Sequence, residues 1–501
     1  MSLPGKIAKE STITFSGMLY GNLNRYLYTA LLARWVGVEY LGLYSLANSI
    51  MLIGEVLSKM GMETGILRFV SRLDPKADAD KITSLIQSAF KMTTFFSLGV
   101  MLFLIIGSNF ISSIVFSAPP LFTSILVVFA VSIPFNSLTL LGAYASQGYK
   151  LLKYKTAVTQ FLNPTILLIS MIISYWMFSK ETAIMAPMII TGVIGFFTMN
   201  TILKRLSQIS IKGVLKAHFD KDLFSFSLPL MFVAILQTFM HWMDILMLGY
   251  FTNPETVGLY HPAVRTAGLL QALLLSFISI FTPLMSNLHH KKDLKKMAGL
   301  YQLVSRWLLT AALPVLLLFT IFPQKVMLLF GSQFLPAAPI LIILTTAAFI
   351  QTILGAAGPT LSMAGFTKLV FRNSLGAFVL NLTLNIVLIP KYGMQGAAIA
   401  TFLSLSAIGI ARVVEVKILL DIYPLTPSLF KSVFAAIFTA AILFWFKSHI
   451  MSYHTLLTLF IGGVISVGVY FFILWILKFE KEDIEFIKGL GFIKSLVKGK
   501  N

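Results

Sequence analysis

Apolar blocks of 20 or more residues follow one another from end to end of this chain, separated by short stretches where lysine, glycine, proline and asparagine gather. About 20 residues at a 1.5 Å rise cross the ~30 Å hydrocarbon core of a bilayer. Fourteen such blocks are readable, the first at 11–34 and the last at 454–477. The pattern therefore predicts an all-α polytopic membrane protein of about 14 transmembrane helices, with no soluble domain of consequence. After the last block, EKEDIEFIKGLGFIKSLVK places Ile487, Leu490 and Ile493 on one face and lysines elsewhere. That is the pattern of a helix lying on the membrane surface.

Composition agrees: 57% of the residues are hydrophobic and 12% charged, against about 25% charged in soluble domains. The net charge of +20 would suit a nucleic-acid partner, but its placement argues otherwise. With the N-terminus set in the cytoplasm, 29 of the 39 lysines and arginines fall on that side. Five fall outside (Arg34, Lys180, Lys325, Lys391, Lys447) and five within spans (Arg25, Lys59, Lys91, Arg265, Arg306). This is the positive-inside bias of a membrane protein, and it accounts for the basic charge with no nucleic acid. Both termini are expected in the cytoplasm and the chain in the cell membrane. No cysteine is present, which excludes disulfides and thiolate chemistry. The first block lacks an A-x-A cleavage site and reads as a retained span, not a signal peptide.

The chain repeats itself at about 216 residues. ARWVGVEYLGLYSLANSI (33–50) aligns with LGYFTNPETVGLYHPAVR (248–265), sharing GLY at 42–44 and 258–260 and an acid three residues earlier, Glu39 and Glu255. SQGYKLLKYKTAVTQFL (146–162) aligns with MAGFTKLVFRNSLGAFV (363–379) at nearly the same offset. We expect an N-terminal six-helix bundle at 1–210, a second at 211–420, two extra helices at 421–478 and the amphipathic cytoplasmic tail at 479–501. Six spans per copy make the repeats parallel, with the transport path between them.

The stretch DILMLGYFTNPETVGLYHPAVR (244–265), with IPKYGMQGAAIATFLS (389–404) and the twelve-plus-two span plan, resembles the oligosaccharide flippases. These are the polysaccharide-transporter branch of the multidrug/oligosaccharidyl-lipid/polysaccharide exporter superfamily. The resemblance covers essentially the whole chain. It implies a V-shaped pair of bundles, and movement of a polyprenyl-pyrophosphate-linked oligosaccharide from the cytoplasmic to the outer leaflet by alternating access.

Ionisable residues inside spans are costly and mark a pathway by default. In the seventh block Gln237, His241 and Asp244 share one face; in the eighth, His261 and Arg265 are four apart. Asp244 and Arg265 both fall roughly 9–14 Å below the outer edge, at 1.5 Å per residue, and are placed to pair. Arg25 lies at a similar depth on the first block, beside a face carrying Gly17, Gly21, Asn24 and Tyr28. The second block carries Asn48, Glu55, Lys59 and Glu63, whose opposite charges four apart are also consistent with a helix that neutralises itself. Lys91 and Arg306 are expected to reach back to the cytoplasmic face, and Gln351, Asn373, Asn381 and Asn385 to hold helices together. A pyrophosphate needs planar, bidentate donors in a low-dielectric core. Arg25, Arg265, Lys59, Asn24 and Asn48 are therefore the candidate substrate-binding residues. Asp244, His241, Gln237, His261 and Glu55 are the candidate coupling and gating residues, answering to a proton or sodium gradient or to the membrane potential. No cofactor or metal is expected.

Two relatives of the same superfamily compete with this reading. A drug/cation antiporter would favour an acidic, aromatic cavity and usually twelve spans. A peptidoglycan lipid-precursor flippase would carry several arginines in the first two spans, where this chain has Arg25 alone. An enzyme is disfavoured: the outer loops are short, and no G-x-x-x-x-G-K, H-E-x-x-H or D-x-D motif occurs. The expected partners are the lipid-linked oligosaccharide, membrane lipids and, as candidates, polysaccharide-assembly enzymes.

Overall fold

The computed structural model describes residues 3–207, 209–423 and 429–477; the predicted surface helix at 479–501 lies outside them. Every regular element among the described residues is helical, as a lipid environment requires, since a helix satisfies its own backbone. Twelve of the described helices are long and apolar enough to cross a membrane. The chain divides into two compact units, Met1–Pro262 and Ala263–Asn501.

The first unit contains α1 (Leu3–Val36), α2 (Val38–Lys59), α3 (Met62–Ser71), α4 (Ala79–Phe110) and α5 (Pro120–Gly148). A short α6 (Leu152–Thr156) runs through a π turn (Ala157–Leu162) into α7 (Asn163–Met177), followed by α8 (Lys180–Leu206), the short α9 (Ile211–Lys216) and α10 (Lys221–Phe251). The start of α11 (Pro254–His290) completes it. Helix α5 is central and packs on α2, α3, α4 and α8. Met62, Ile66, Ile86, Ala89, Leu141 and Met199 form part of the buried core. Helix α10 packs on α2 and α3.

The apolar block at 41–66, long enough to predict one continuous span, is broken. Helix α2 stops at Lys59, Met60 and Gly61 take left-handed backbone (φ 51° and 72°), and α3 restarts at Met62. Gly61 is required twice over: its φ suits glycine, and a Cβ there would fall 2.3 Å from the Ser227 carbonyl oxygen of α10. Gly61→Ala should cost at least about 2 kcal/mol, combining left-handed strain with the clash. Thermal unfolding of the variant checks this.

Beyond Ala263 the second unit continues α11 and adds α12 (Leu294–Ile321), the short α13 (Pro323–Met327), α14 (Ala338–Leu354), α15 (Ala357–Met363), α16 (Thr367–Leu420), α17 (Leu429–Ile450) and α18 (Thr455–Ile476). At 54 residues α16 would be roughly 80 Å long if straight. It turns at Gly393 (φ 53°, ψ −130°), between two apolar blocks of the sequence, 370–389 and 394–418, each long enough to predict its own span. The two limbs lie side by side: Asn373 donates to Glu415 at 2.5 Å and Arg412 to Ser374 at 2.9 Å. Asn373 is thus helix–helix glue, as expected. Helices α17 and α18 pack on α12. There Thr310 bonds Ser432 at 2.9 Å and Ser466 donates to the Pro314 carbonyl at 2.8 Å. In apolar packing such bonds supply the orientation that hydrophobicity alone does not.

Candidate functional site

The repeated GLY triplets meet. A Cβ on Gly42 would fall 1.7 Å from the Pro254 carbonyl oxygen, and one on Gly258 would fall 2.0 Å from that of Val38. The N-terminal ends of α2 and α11 therefore touch backbone to backbone, at two glycines one repeat apart. Their companion tyrosines are both buried. Tyr44 packs on Tyr28, Phe129 and His261, with ring centroids at 5.7, 5.9 and 6.2 Å. The Tyr260 hydroxyl donates to Asp244 Oδ2 at 2.9 Å.

That bond gives Asp244 a partner that sequence reasoning, which weighed a pairing with Arg265, did not find. His261 is 1% exposed, and its ring lies parallel to that of Trp242, 6.5 Å away. His241 and Gln237 are exposed, and His241 meets the edge of Trp242. An acid, two tyrosines, two histidines and a tryptophan thus gather where α10 and the start of α11 adjoin α2.

Arg25 is held by α1 and the π turn. Its guanidinium donates to the Thr159 carbonyl at 3.1 Å, to Gln160 Oε1 at 3.3 Å and to Asn22 Oδ1 at 3.4 Å. The π turn has a local cause. Pro164 has no N–H to offer the Gln160 carbonyl four residues back, and its ring crowds that oxygen. The helix widens by one residue, the usual form of such bulges, which recur at functional sites. Asn24 donates to the Tyr20 carbonyl at 2.9 Å and so serves α1 itself, while Asn48 is buried on α2.

Around the α2 break the charges are dense. Glu55, buried, accepts from Asn136 of α5 at 2.9 Å. Lys59 lies 3.8 Å from Glu63 across the break, a separation too long for a hydrogen bond. Among the described residues that is its one ion pair, and Glu55 one turn back acts on it electrostatically, though Lys59 is only 6% exposed. Glu63 keeps its second oxygen buried and without a hydrogen bond, and it acts electrostatically on Lys155. Lys155 donates to Gln147 at 2.9 Å and sits 3.5 Å from the centre of the Tyr144 ring. Lys59 is thus paired along its own stretch of chain, with Glu63 across the break and with Glu55 one turn back acting electrostatically, so these charges partly neutralise one another. Neither Lys155 nor Asn136 was singled out from the sequence. Lys155 counted as a loop cation, and an asparagine within an apolar run carries no pattern.

In the second unit, Arg265 keeps a buried Nε without a hydrogen bond. Lys91, expected to reach back to the cytoplasmic face, is exposed, and its ammonium takes the Leu215 and Ala217 carbonyls at 3.0 and 2.9 Å. These are carbonyls at the end of α9, which a cation satisfies well.

Helices of this number and length, broken within and bonded through sparse buried polar groups, define a polytopic membrane protein with a transporter fold. Two solved structures share it. The lipid II flippase MurJ in an inward-closed conformation matches with a TM-score of 0.74 over 94% of this chain and 98% of that one, at 16% identity. An inward-facing multidrug resistance MATE transporter of the MOP superfamily matches with a TM-score of 0.67 over 82% and 98%, at 13% identity. The chain belongs to the polysaccharide biosynthesis protein family, whose model matches residues 31–339. Among its relatives, a probable low-salt glycan biosynthesis flippase, Agl15 of Haloferax volcanii, is 26% identical over 289 residues, 58% of this chain and 59% of that one. The match therefore spans somewhat under two thirds of that relative. An uncharacterised membrane protein of Methanocaldococcus jannaschii is 23% identical over 83% of this chain and 84% of its own length.

Proposed function

We propose that the protein is a flippase that carries a polyprenyl-pyrophosphate-linked oligosaccharide from the cytoplasmic to the outer leaflet of the cell membrane by alternating access. Both termini are cytoplasmic, and the protein is a transporter, not an enzyme. The name of the Haloferax relative and the polysaccharide biosynthesis family support the substrate class. The observation that carries the reading is Lys59: a buried cation that makes no hydrogen bond among the described residues, with Glu63 at 3.8 Å and Glu55 one turn away as its carboxylates. A buried ammonium without hydrogen bonds is expensive, and an anionic head group would relieve it. Arg25 stands ready on the π turn, although engaged, and Arg265 carries a comparable unspent donor. Only the head need enter a polar environment; the tail stays in lipid. An inside-negative potential favours outward movement of the anion by about 2.3 kcal/mol per charge per 100 mV.

The test is thermal stabilisation of the purified protein by a polyprenyl pyrophosphate. Wild type should be stabilised. Lys59→Met should bind about 10- to 150-fold more weakly, the worth of one charge-assisted hydrogen bond. Arg265→Ala is measured alongside. No stabilisation of wild type would reject the reading. Stabilisation by an aromatic cation alone would favour the drug-antiporter alternative, for which Asp244 among Tyr260, Trp242 and His261 is the supporting observation.

A further inference from the structure

The segment between α8 and α10 is held against α4 at a level that three helices define. Lys91 is the last charged residue of α4 before an uncharged run, 92–110. That run is roughly 28 Å long at 1.5 Å per residue, close to a ~30 Å hydrocarbon core. The uncharged run of α8 ends at Lys204 and Arg205, and that of α10 begins after Lys221 and Asp222. The short α9 meets α4 just outside the α4 run. Lys91 takes the Leu215 and Ala217 carbonyls, and Ser88 donates to the His218 carbonyl at 2.7 Å. A Cβ on Gly213 would run into the Gln87 side chain. Gln87 and Lys91 are about 6 Å apart along α4, about the depth of one head-group layer.

Helix α9 is docked on one side only. Gly213 meets Gln87, and Val214 packs on the buried core of the unit. At 3.6 residues per turn, Ile211 and Leu215 lie together on the far side, with Lys212 and Lys216 beside them. All four are exposed, Ile211 at 73% and Leu215 at 69%, and so is Phe219 just beyond. The one acid between Arg205 and Lys221, Asp220, caps α10, where it accepts from the Leu223 amide at 2.9 Å. Helix α4 shows what lies outside. One turn in from Lys91 an exposed stripe begins, Phe95, Leu98, Leu102 and Ile106, with no polar member. Such a face on a spanning helix meets lipid, and α9 continues it outward to the level of the head groups.

We propose that α9 is an interfacial anchor that binds anionic phospholipid head groups, in the cytoplasmic leaflet on the orientation proposed above. Ile211, Leu215 and Phe219 enter the acyl boundary, as the apolar face of an interfacial helix does. Lys212 and Lys216 lay their stems along that boundary and place their ammonium groups among the lipid phosphates. The negative surface potential of the leaflet attracts them there. Lys91 sets the depth by tying the last carbonyls of α9 to the edge of the α4 run. The anchor acts whatever solute the protein carries.

The chain has no cysteine, so Leu215→Cys carries a single nitrobenzoxadiazole label on full-length protein in vesicles of phosphatidylcholine and phosphatidylglycerol. A minor fraction of one lipid or the other bears a quenching spin label near its head group. Both lipids should quench the label, the anionic one at about fivefold lower mole fraction, the worth of one lysine near such a surface. High salt should shrink that ratio. Lys212→Gln combined with Lys216→Gln should bring it close to one and leave quenching by the zwitterionic lipid unchanged. The same label at Ile106→Cys, on the α4 stripe, should show a ratio close to one throughout. Thermal unfolding checks that the variants are folded. Equal quenching by the two lipids at Leu215→Cys would overturn head-group recognition. Quenching by neither would put the face in water or under another protein and overturn the anchor. An anionic preference that survives the double lysine substitution would overturn the assignment to Lys212 and Lys216.

Discussion

Gly42→Val is expected to leave the protein folded and abolish flipping. Its Cβ would fall 1.7 Å from the Pro254 carbonyl and 3.0 Å from the Gly258 amide nitrogen. The crowded atoms are backbone, so no rotamer change relieves the clash. If the contact stayed closed, the cost would be at least the 1–3 kcal/mol or so of core overpacking. On the alternating-access proposal, we expect a second arrangement in which this contact is apart. The substitution shifts the population toward it and holds it there, because a state disfavoured by several kcal/mol is hardly visited. The chain contains no cysteine, so the shift can be read directly. Val257 is fully buried beside the contact. Val257→Cys should react slowly with a membrane-impermeant maleimide and much faster when Gly42→Val is added. Unchanged labelling together with wild-type flipping would remove the glycine contact from the mechanism.

Asp244→Asn separates structure from coupling. The Tyr260 hydroxyl that donates to Asp244 is fully buried, and losing its acceptor altogether, as in Asp244→Ala, should cost about 1–3 kcal/mol. Asparagine still offers a carbonyl oxygen, so Asp244→Asn should unfold within about 0.5 kcal/mol of wild type, as mild substitutions do. It removes the charge, however, and on the proposal that Asp244 couples transport it also removes the response to a proton or sodium gradient. Flipping driven by an imposed gradient should fall to the ungradiented rate in Asp244→Asn and remain stimulated in wild type. Equal stimulation in the two would assign Asp244 a structural part only. Gln237 and His241, exposed on the same helix, are then tested by the same assay as further coupling candidates.

Much of this was legible in the sequence where a single helix carries the information. The apolar blocks located the helices, and the repeated GLY marked positions 42 and 258 before their contact was visible. Gly393 fell between two predicted spans. Facts that depend on two helices were not legible. Tyr260 and Asp244 are separated by a turn and pair only because α10 and α11 come back together. Periodicity assigns a face, not the neighbour opposite it. The break at Met60–Gly61 left almost no trace, since glycine is common in transmembrane helices and Met60 gives no sign of a left-handed backbone. The π turn did leave a signal, Pro164 four residues after Gln160, but what it would serve became clear only once Arg25 was seen bonded to Thr159. Lys91 shows both sides: its depth predicts an exposed end, and it is exposed, but the carbonyls 124 and 126 residues further on that receive it were not legible.

The most direct test of the account is flipping itself. Purified protein is reconstituted into sealed proteoliposomes with a fluorescent polyprenyl-pyrophosphate-linked oligosaccharide, and the fraction of label reached by an external quencher is followed with time. Wild type should move label between leaflets well above protein-free vesicles, while Lys59→Met and Gly42→Val should fall to the protein-free rate. Wild type indistinguishable from empty vesicles, or Lys59→Met as fast as wild type, would contradict the account.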